Sequence, residues 1–196
     1  MLEKSELRKL MKTCLSKLSF EETQRQSEAV CRKIQDSKCF ENSQRISIYV
    51  STHGEIGTDS IIRKALELGK DVFIPQFTKG STAMEMVRVP NQHAFDTLPT
   101  TLWGIRQPDP QWNWEPYQNS GPLDVVLTPG VAFTASGLRC GHGKGYYDRF
   151  FATHSTIFGR EPLRIGLALR EQIVENLPVS GTDVRLDQVI FDGEEN

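Results

Sequence analysis

The sequence of 196 residues is poor in cysteine and histidine, with four of each. The cysteines at positions 14, 31, 39 and 140 form no Cys-x-x-Cys pair and have no histidine at zinc-binding spacing. This pattern argues against a structural zinc site and favours free thiols in a reducing compartment. Lysine plus arginine (23) nearly balances aspartate plus glutamate (25), and no basic run occurs, so we expect no nucleic-acid partner.

Long apolar segments are also missing. No stretch approaches the roughly 18 consecutive apolar residues of a membrane-spanning helix, so we expect no membrane partner. Glu3 and Lys4 come early, without the apolar run of a secretory signal, and we therefore expect a cytoplasmic protein. There is no obvious Ser/His/Asp or Cys/His pattern of the kind used for nucleophilic catalysis.

The most informative stretch alternates glycines with polar residues and runs directly into a pair of tyrosines: Arg139-Cys140-Gly141-His142-Gly143-Lys144-Gly145-Tyr146-Tyr147-Asp148-Arg149. Glycines let another group approach the backbone closely, and successive inward N–H groups form a concavity for anions. The spacing matches neither the Walker loop nor the dinucleotide fingerprint. The stretch therefore predicts either a phosphate-binding loop of another type or an ordinary surface turn before a helix.

Periodicity predicts helices over residues 3–18 and from Ser19, which opens a capping box, to near Lys38. A third helix is expected from Thr58 or Asp59 to Gly69, and a fourth begins at Tyr146. Strands are predicted at residues 45–51, 71–75, 83–89, 123–129, 163–169 and 186–191. Helices that alternate with strands indicate an α/β protein with a mostly parallel, Rossmann-like sheet, in one three-layer α/β/α domain over residues 1–196.

Several polar side chains follow predicted strands or line a predicted helix. Glu55 and Gln76 come after two strands, and open α/β sheets bind ligands at the carboxyl ends of their strands. Lys4 and Arg8 lie one helical turn apart, on a row that is either a functional basic face or solvated surface. Residues 90–122 are predicted to be loop-like, and Trp103 within them either stacks on a flat ligand or packs internally.

Taken together, these motifs resemble the 5-formyltetrahydrofolate cyclo-ligase family, also called methenyltetrahydrofolate synthetases. The resemblance runs from Lys4 to Val189. Its most specific parts are Pro129-Gly130-Val131-Ala132-Phe133, Gly137-x-Arg139 and Gly143-x-Gly145-Tyr146-Tyr147-Asp148-Arg149. It implies ATP- and Mg²⁺-dependent closure of 5-formyltetrahydrofolate to 5,10-methenyltetrahydrofolate through an iminium phosphate, and a fold similar to phosphosugar isomerases and CoA transferases. We expect a monomer that acts on small molecules, including polyglutamylated folate.

The resemblance also implies roles for particular residues. ATP would be bound by Lys4, Arg8, Arg139, Cys140, Gly141, His142, Gly143, Lys144, Gly145, Tyr146 and Tyr147. The folate would be bound by Val50, Glu55, Trp103, His142, Gly143, Lys144, Gly145 and Tyr146. The catalytic groups would be His142, Lys144 and Tyr146. Asp148 is the first candidate for Mg²⁺, and Asp187 is a second candidate whose alternative is to cap the end of a loop.

Two residues depart from the family pattern. His142 stands where relatives carry arginine or glycine, and Gln76 stands where arginine is common, so that one anion contact is either missing or made by Arg106. Two other functions remain open on the sequence: a folate-binding storage protein without turnover, and an enzyme related to phosphosugar isomerases, which would need a proton-abstracting group but no ATP-binding Lys4 and Arg8.

Overall fold

The structure, a computed structural model, describes residues 3–193. Its centre is a six-stranded sheet. The strands are β1 (Arg45–Ile48), β2 (Asp71–Phe77), β3 (Met84–Arg88), β4 (Val125–Thr128), β7 (Leu163–Ala168) and β8 (Gln188–Phe191). Their order in the sheet is β3-β2-β1-β4-β7-β8. Only the pairing of β2 with β3 is antiparallel in this sheet, which confirms the predicted mostly parallel sheet. A separate hairpin consists of β5 (Ala132–Phe133) and β6 (Arg139–Cys140).

Alternating side chains of the strands build a hydrophobic core on each face of the sheet. Val72 and Ile74 of β2 face one cluster, which contains the buried sides of α2 (Phe20–Gln35) and α4 (Asp59–Glu67). Phe73, between them, faces the other cluster, which contains Phe150 and Phe151 of α6 (Tyr146–Phe158). Because successive strand residues point to opposite faces, helices cover both sides, as the three-layer prediction requires.

Some boundaries differ from those predicted. The second helix ends at Gln35, and Ser37 begins a separate short helix, α3 (Lys38–Asn42), by accepting a hydrogen bond from the Phe40 amide. The region predicted to be loop-like contains the helix α5 (Gln92–Asp96) and three short 3-10 turns. The first helix, α1 (Lys4–Leu15), is shorter than expected. Among residues 3–193, no helix has the length and apolar character needed to cross a bilayer.

The strand order reverses between β1 and β4, and this determines where a ligand site is expected. From β1 the chain proceeds outward to β2 and β3, whereas from β4 it proceeds in the other direction to β7 and β8. In open parallel sheets the crevice at such a reversal, beyond the carboxyl ends of the strands, is the usual ligand site.

Candidate active site

A cavity of about 350 Å³ opens at this reversal point. Val50 follows β1, Pro75 lies near the end of β2, and Pro129 follows β4, and all three line the cavity. Two groups of different character contribute to its lining, an aromatic wall of three rings and a glycine-containing loop.

The aromatic wall consists of Phe77, Trp103 and Tyr146. The Phe77 ring centroid lies 5.0 Å from that of Tyr146 and 5.7 Å from that of Trp103, both edge-on. The side-chain amide of Gln107 is buried and bonds both the N–H and the C=O of Phe77, which holds the backbone of this residue. Trp103 remains 60% exposed, so much of its indole is available to stack on a flat ligand.

Trp103 is held in an uncommon conformation. Its φ of 57° lies in the left-handed region, and Gly104 follows with a φ of 77°. A tryptophan in that region is strained, and such strain often occurs at functional sites. Trp103 belongs to a short 3-10 turn, Leu102–Gly104, and its side chain lines the cavity.

Residues 139–145, called the glycine loop from here on, form another part of the lining and lead into α6. Gly143 and Gly145 have φ values of 96° and 64°, which only glycine adopts without strain. Gly145 is the N-cap of α6, as expected, so the positive end of this helix dipole lies at the cavity. His142, Lys144 and Gly145 line the cavity, whereas Cys140 of the same loop is buried, and its backbone pairs with Ala132.

Two basic residues of α1 form contacts near this loop, Arg8 with the loop itself and Lys4 with the segment before β8. The Nε of Arg8 donates to the carbonyl of Gly141 at 2.8 Å, and its guanidinium covers Gly143, where an added Cβ would be 3.4 Å from Cζ. Lys4, one turn earlier, forms an ion pair with Asp183 at 2.6 Å and donates to Ser180. Arg8 therefore supports the glycine loop directly, while Lys4 lies against the segment before β8.

Tyr146 lines the cavity, and its hydroxyl is engaged in a hydrogen bond to the protein itself. Its hydroxyl donates to the carbonyl of Ser81 in the β2–β3 hairpin at 3.1 Å. Arg149 donates to the carbonyls of Thr82 and Lys144, and its guanidinium stacks on the Tyr146 ring. The start of α6 is thereby tied to the hairpin. No pattern in the sequence indicated this role for Arg149.

Asp148, the first metal candidate, lies in the cavity beside a buried cation. The Nη2 of Arg139 is 3.2 Å from both carboxylate oxygens of Asp148, and the side chain of Arg139 is only 6% exposed. The Asp148 carboxylate also accepts from the amide of Val184 at 3.1 Å. This contact brings the preceding residue, Asp183, near the same end of the cavity. Sequence reasoning did not single out Asp183, because its loop has no periodicity.

Asp187, the second metal candidate, lies elsewhere. It immediately precedes β8 and accepts from the backbone amide and the guanidinium of Arg164 at the start of β7, at 2.8 and 3.0 Å. It is thus at the amino ends of the strands, opposite the cavity. The structure does not bring Asp187 together with Asp148. The contacts of Asp187 with Arg164 are those of a residue that caps the end of a loop, the alternative considered above.

Glu55 lies between the two walls and is largely buried, with 11% of its side chain exposed. Its Oε2 accepts from the amide and hydroxyl of Thr52 at 2.7 and 3.0 Å, and its Oε1 is 3.6 Å from Nε2 of His142. Burial, and secondarily the charge of Glu55, raises the pKa of both Tyr49 and Tyr147, which line the same cavity, so both phenols stay neutral.

The two departures from the family pattern have different surroundings. His142 faces Glu55 at the cavity, as described. Gln76 donates to the carbonyl of Pro108 at 3.1 Å, which anchors the segment after Trp103. Arg106 does not replace an anion contact in the cavity: it forms an ion pair with Asp59 at 2.5 Å and stacks over Phe95.

Comparison with known proteins agrees with this architecture. A family model described as the 5-formyltetrahydrofolate cyclo-ligase family matches residues 1–192. A Caenorhabditis elegans protein, probable 5-formyltetrahydrofolate cyclo-ligase, is 68% identical over 97% of this chain and 93% of its own length. The mouse 5-formyltetrahydrofolate cyclo-ligase is 36% identical over 95% of this chain and 92% of its own length.

Two solved structures are similar as well. The NMR structure of 5,10-methenyltetrahydrofolate synthetase from Aquifex aeolicus has a TM-score of 0.77 and 29% identity, covering 96% of this chain and 89% of that one. The 5,10-methenyltetrahydrofolate synthetase of Mycoplasma pneumoniae has a TM-score of 0.73 over 98% of this chain and all of that one. At 21% identity the latter supports the fold alone.

Proposed function

The chain belongs to the 5-formyltetrahydrofolate cyclo-ligase family, and on that premise we propose that its cavity brings ATP and 5-formyltetrahydrofolate into contact. As a ligase of this family it forms 5,10-methenyltetrahydrofolate from 5-formyltetrahydrofolate. The observation that carries the proposal is the pairing of two unlike walls across one cavity, one suited to a flat heterocycle and the other to phosphate.

The pterin end of the folate is assigned to the aromatic wall. Trp103 and Phe77 offer ring faces and edges, and Val50, which follows β1, lines the same cavity. Glu55 supplies a carboxylate oxygen, Oε1, for the N–H groups of the pterin, while Thr52 holds its other oxygen. Because Glu55 is largely buried, such charge-assisted hydrogen bonds are strong and selective for the ring.

The terminal phosphate of ATP is assigned to the glycine loop and the start of α6. Backbone N–H groups and the helix dipole favour an anion there, and Lys144 lines the same surface. Arg8, already bound to Gly141, holds the loop in shape and adds a guanidinium for phosphate oxygens. His142 and Lys144 then lie where negative charge develops during phosphoryl transfer.

Mg²⁺ is the cofactor that ATP use implies, and the available oxygen ligands fit it. Within residues 3–193 no three His, Cys, Asp or Glu side chains form a ready-made metal cluster. Mg²⁺ bound with ATP needs only one or two carboxylates, because phosphates and water supply the remaining ligands. We assign these to Asp148 and the nearby Asp183, which Arg139 and Lys4 neutralise in the structure described here. The ion would neutralise charge on the phosphates.

The chemistry that this arrangement supports is phosphoryl transfer to the formyl oxygen. That oxygen attacks the γ-phosphorus of ATP, and the bond to ADP breaks. N10 of the folate then attacks the activated formyl carbon and loses its proton, and phosphate departs with the former formyl oxygen. The protein contributes positioning and charge stabilisation. Burial raises the pKa of the Cys140 thiol, which does not favour a thiolate nucleophile in the loop.

The deciding experiment measures phosphate release by the purified protein with ATP and 5-formyltetrahydrofolate. We expect one phosphate per methenyltetrahydrofolate formed, and no release when the folate is omitted. A storage protein would bind the folate without consuming ATP. An isomerase-like enzyme would convert a sugar phosphate in the absence of ATP. Either result would replace the proposal. We further propose that the protein is a cytoplasmic monomer whose single domain extends over residues 1–196.

A further inference from the structure

Gln107 does not line the cavity, but it holds two parts of the aromatic wall from behind. It is buried, with 2% of its surface exposed. Its backbone N–H donates to the carbonyl of Pro99 at 3.2 Å and so closes the base of residues 99–107, called the Trp103 hairpin from here on. Its side chain bonds both backbone groups of Phe77, each at 2.9 Å. One residue therefore connects the strand that carries Phe77 to the hairpin that carries Trp103.

The backbone of Phe77 needs these two hydrogen bonds because β1 does not continue beside it. Phe77 pairs with Met84 of β3 on one edge of β2, but the pairing of β2 with β1 on the other edge ends at Phe73. The N–H and C=O of one strand residue point to the same edge, and Gln107 occupies that edge at Phe77. Buried backbone groups require partners. The amide of Gln107 thus takes the place of a strand residue, with one donor and one acceptor.

The Trp103 hairpin needs support because its tip is strained. Trp103 and Gly104 have φ values of 57° and 77°, and strained conformations persist only where the surrounding structure holds them. Nearer the tip than the bond from Gln107, the amide of Thr101 donates to the carbonyl of Ile105 at 2.9 Å. The Trp103 ring is 5.7 Å from that of Phe77 and is otherwise largely exposed. A shift at the base of the hairpin would therefore change how these two rings lie relative to each other.

We infer that Gln107 is a positioning residue for the folate: it sets the relative placement of Phe77 and Trp103, and thereby the shape of the surface that receives the pterin. The inference rests on the proposed function, which assigns the pterin to this wall. Stacking on the wall acts on the bound substrate and on the transition state alike, because phosphoryl transfer occurs at the formyl group. Loss of such uniform binding raises KM and leaves kcat nearly unchanged. ATP, assigned to the glycine loop, should bind as before.

The test is Gln107→Glu, which keeps the shape of the side chain and its acceptor but, when ionised, has no donor for the carbonyl of Phe77. At about pH 8 the Kd for 5-formyltetrahydrofolate, measured without ATP, and its KM should both rise about three- to tenfold, as expected for the loss of one aromatic contact. The KM for ATP should stay at the wild-type value. Burial raises the pKa of a carboxyl group, and the neighbouring cation, Arg106, is already paired with Asp59. At about pH 6 the protonated carboxyl should donate to the Phe77 carbonyl, so the difference from the wild type should shrink.

Gln26→Glu is the matched control. Gln26 is a buried glutamine whose Oε1 likewise accepts from a backbone amide, that of Arg170 at 2.8 Å, and it does not line the cavity. Its replacement also removes the donor to Glu22, so the Tm should fall while the Kd for the folate stays at the wild-type value. If thermal unfolding shows that Gln107→Glu is unfolded at pH 8, Gln107→Asn replaces it, and the shorter amide should raise the same Kd.

The inference is overturned if the Kd for the folate does not change in the folded Gln107 variant, or if the KM for ATP rises equally. It is also overturned if the effect of Gln107→Glu is the same at both pH values, or if Gln26→Glu weakens folate binding as much. The proposed function fails separately. If the wild type binds the folate but releases no phosphate with ATP, the reaction is wrong, while the Kd values still decide the role of Gln107.

Discussion

Two glycines at opposite ends of α6 allow the role of the glycine loop to be separated from its contribution to stability. Gly145 caps the start of the helix with a φ of 64°, and Gly159 caps its end with a φ of 63°. Alanine in this left-handed region costs roughly 1–2 kcal/mol at either position. In a protein of this size each kcal/mol lowers the Tm by about 2–4 °C, so both Gly145→Ala and Gly159→Ala should show a similar loss.

The surroundings of the two glycines differ. A Cβ at Gly159 would meet no atom within 4 Å, whereas a Cβ at Gly145 would be 3.0 Å from Nη1 of Arg149. Arg149 would have to move, and it holds the carbonyls of Thr82 and Lys144. The backbone N–H groups assigned to phosphate would shift with it. Because a displacement of about 1 Å in a positioning group can cost on the order of a hundredfold in rate, we expect kcat/KM for ATP to fall about ten- to a hundredfold in Gly145→Ala.

The assay combines thermal unfolding with folate-dependent phosphate release, measured well below the lower Tm. Gly159→Ala should retain the kcat/KM of the wild type despite its lower Tm. If Gly159→Ala loses as much activity as Gly145→Ala, the effect is one of global stability. If Gly145→Ala keeps full activity at a reduced Tm, the glycine loop does not position phosphate, and the reasoning is refuted.

Asp148→Asn should raise the Mg²⁺ concentration for half-maximal activity by about tenfold or more. Asp187→Asn, at the opposite end of the sheet, should leave that concentration unchanged. If activity measured against free Mg²⁺ shifts equally in both variants, the assignment is contradicted. His154 provides a pH test of stability, because burial lowers the pKa of its imidazole below the usual 6.5, and its Nε2 accepts from the amide of Leu123. The unfolded chain then binds this proton more tightly, so the contribution of His154 to stability is complete above pH 6.5 and decreases as the pH falls below it. Between about pH 7.5 and about pH 5.5, the urea concentration at half-unfolding should therefore fall more for the wild type than for His154→Asn. An equal fall in the two proteins would disprove this role of His154.

The parts of the fold that follow local rules could be predicted from the sequence. Alternating apolar residues indicated the strands, and Ser19 indicated the start of α2, where its hydroxyl accepts from the Glu22 amide. The hairpin of β5 and β6 was missed because two-residue strands carry no alternation. The separate helix after Ser37 was missed because the apolar pattern continues across the break.

Residues of the candidate site that are close in the sequence could be grouped from the sequence, whereas residues that meet only through folding could not. Residues 139–149 form one segment, and His142, Lys144, Gly145 and Asp148 do line one cavity. Asp183 comes to this region through contacts with Lys4, 179 residues away, and through the Val184 amide, which no local pattern encodes. Asp187 lies only four residues further on, but it precedes β8 and lies at the other end of the sheet. Two carboxylates that are close in the sequence therefore lie at opposite ends of the sheet.

The central claim is that the formyl oxygen attacks the γ-phosphate of ATP between the glycine loop and the aromatic wall. The most direct test uses 5-formyltetrahydrofolate that carries ¹⁸O in its formyl group, with analysis of the released phosphate by mass spectrometry. Because phosphate departs with the former formyl oxygen, we predict one ¹⁸O in each phosphate released. Unlabelled phosphate, formed together with methenyltetrahydrofolate, would mean that water and not the formyl oxygen attacks ATP, and would contradict the account.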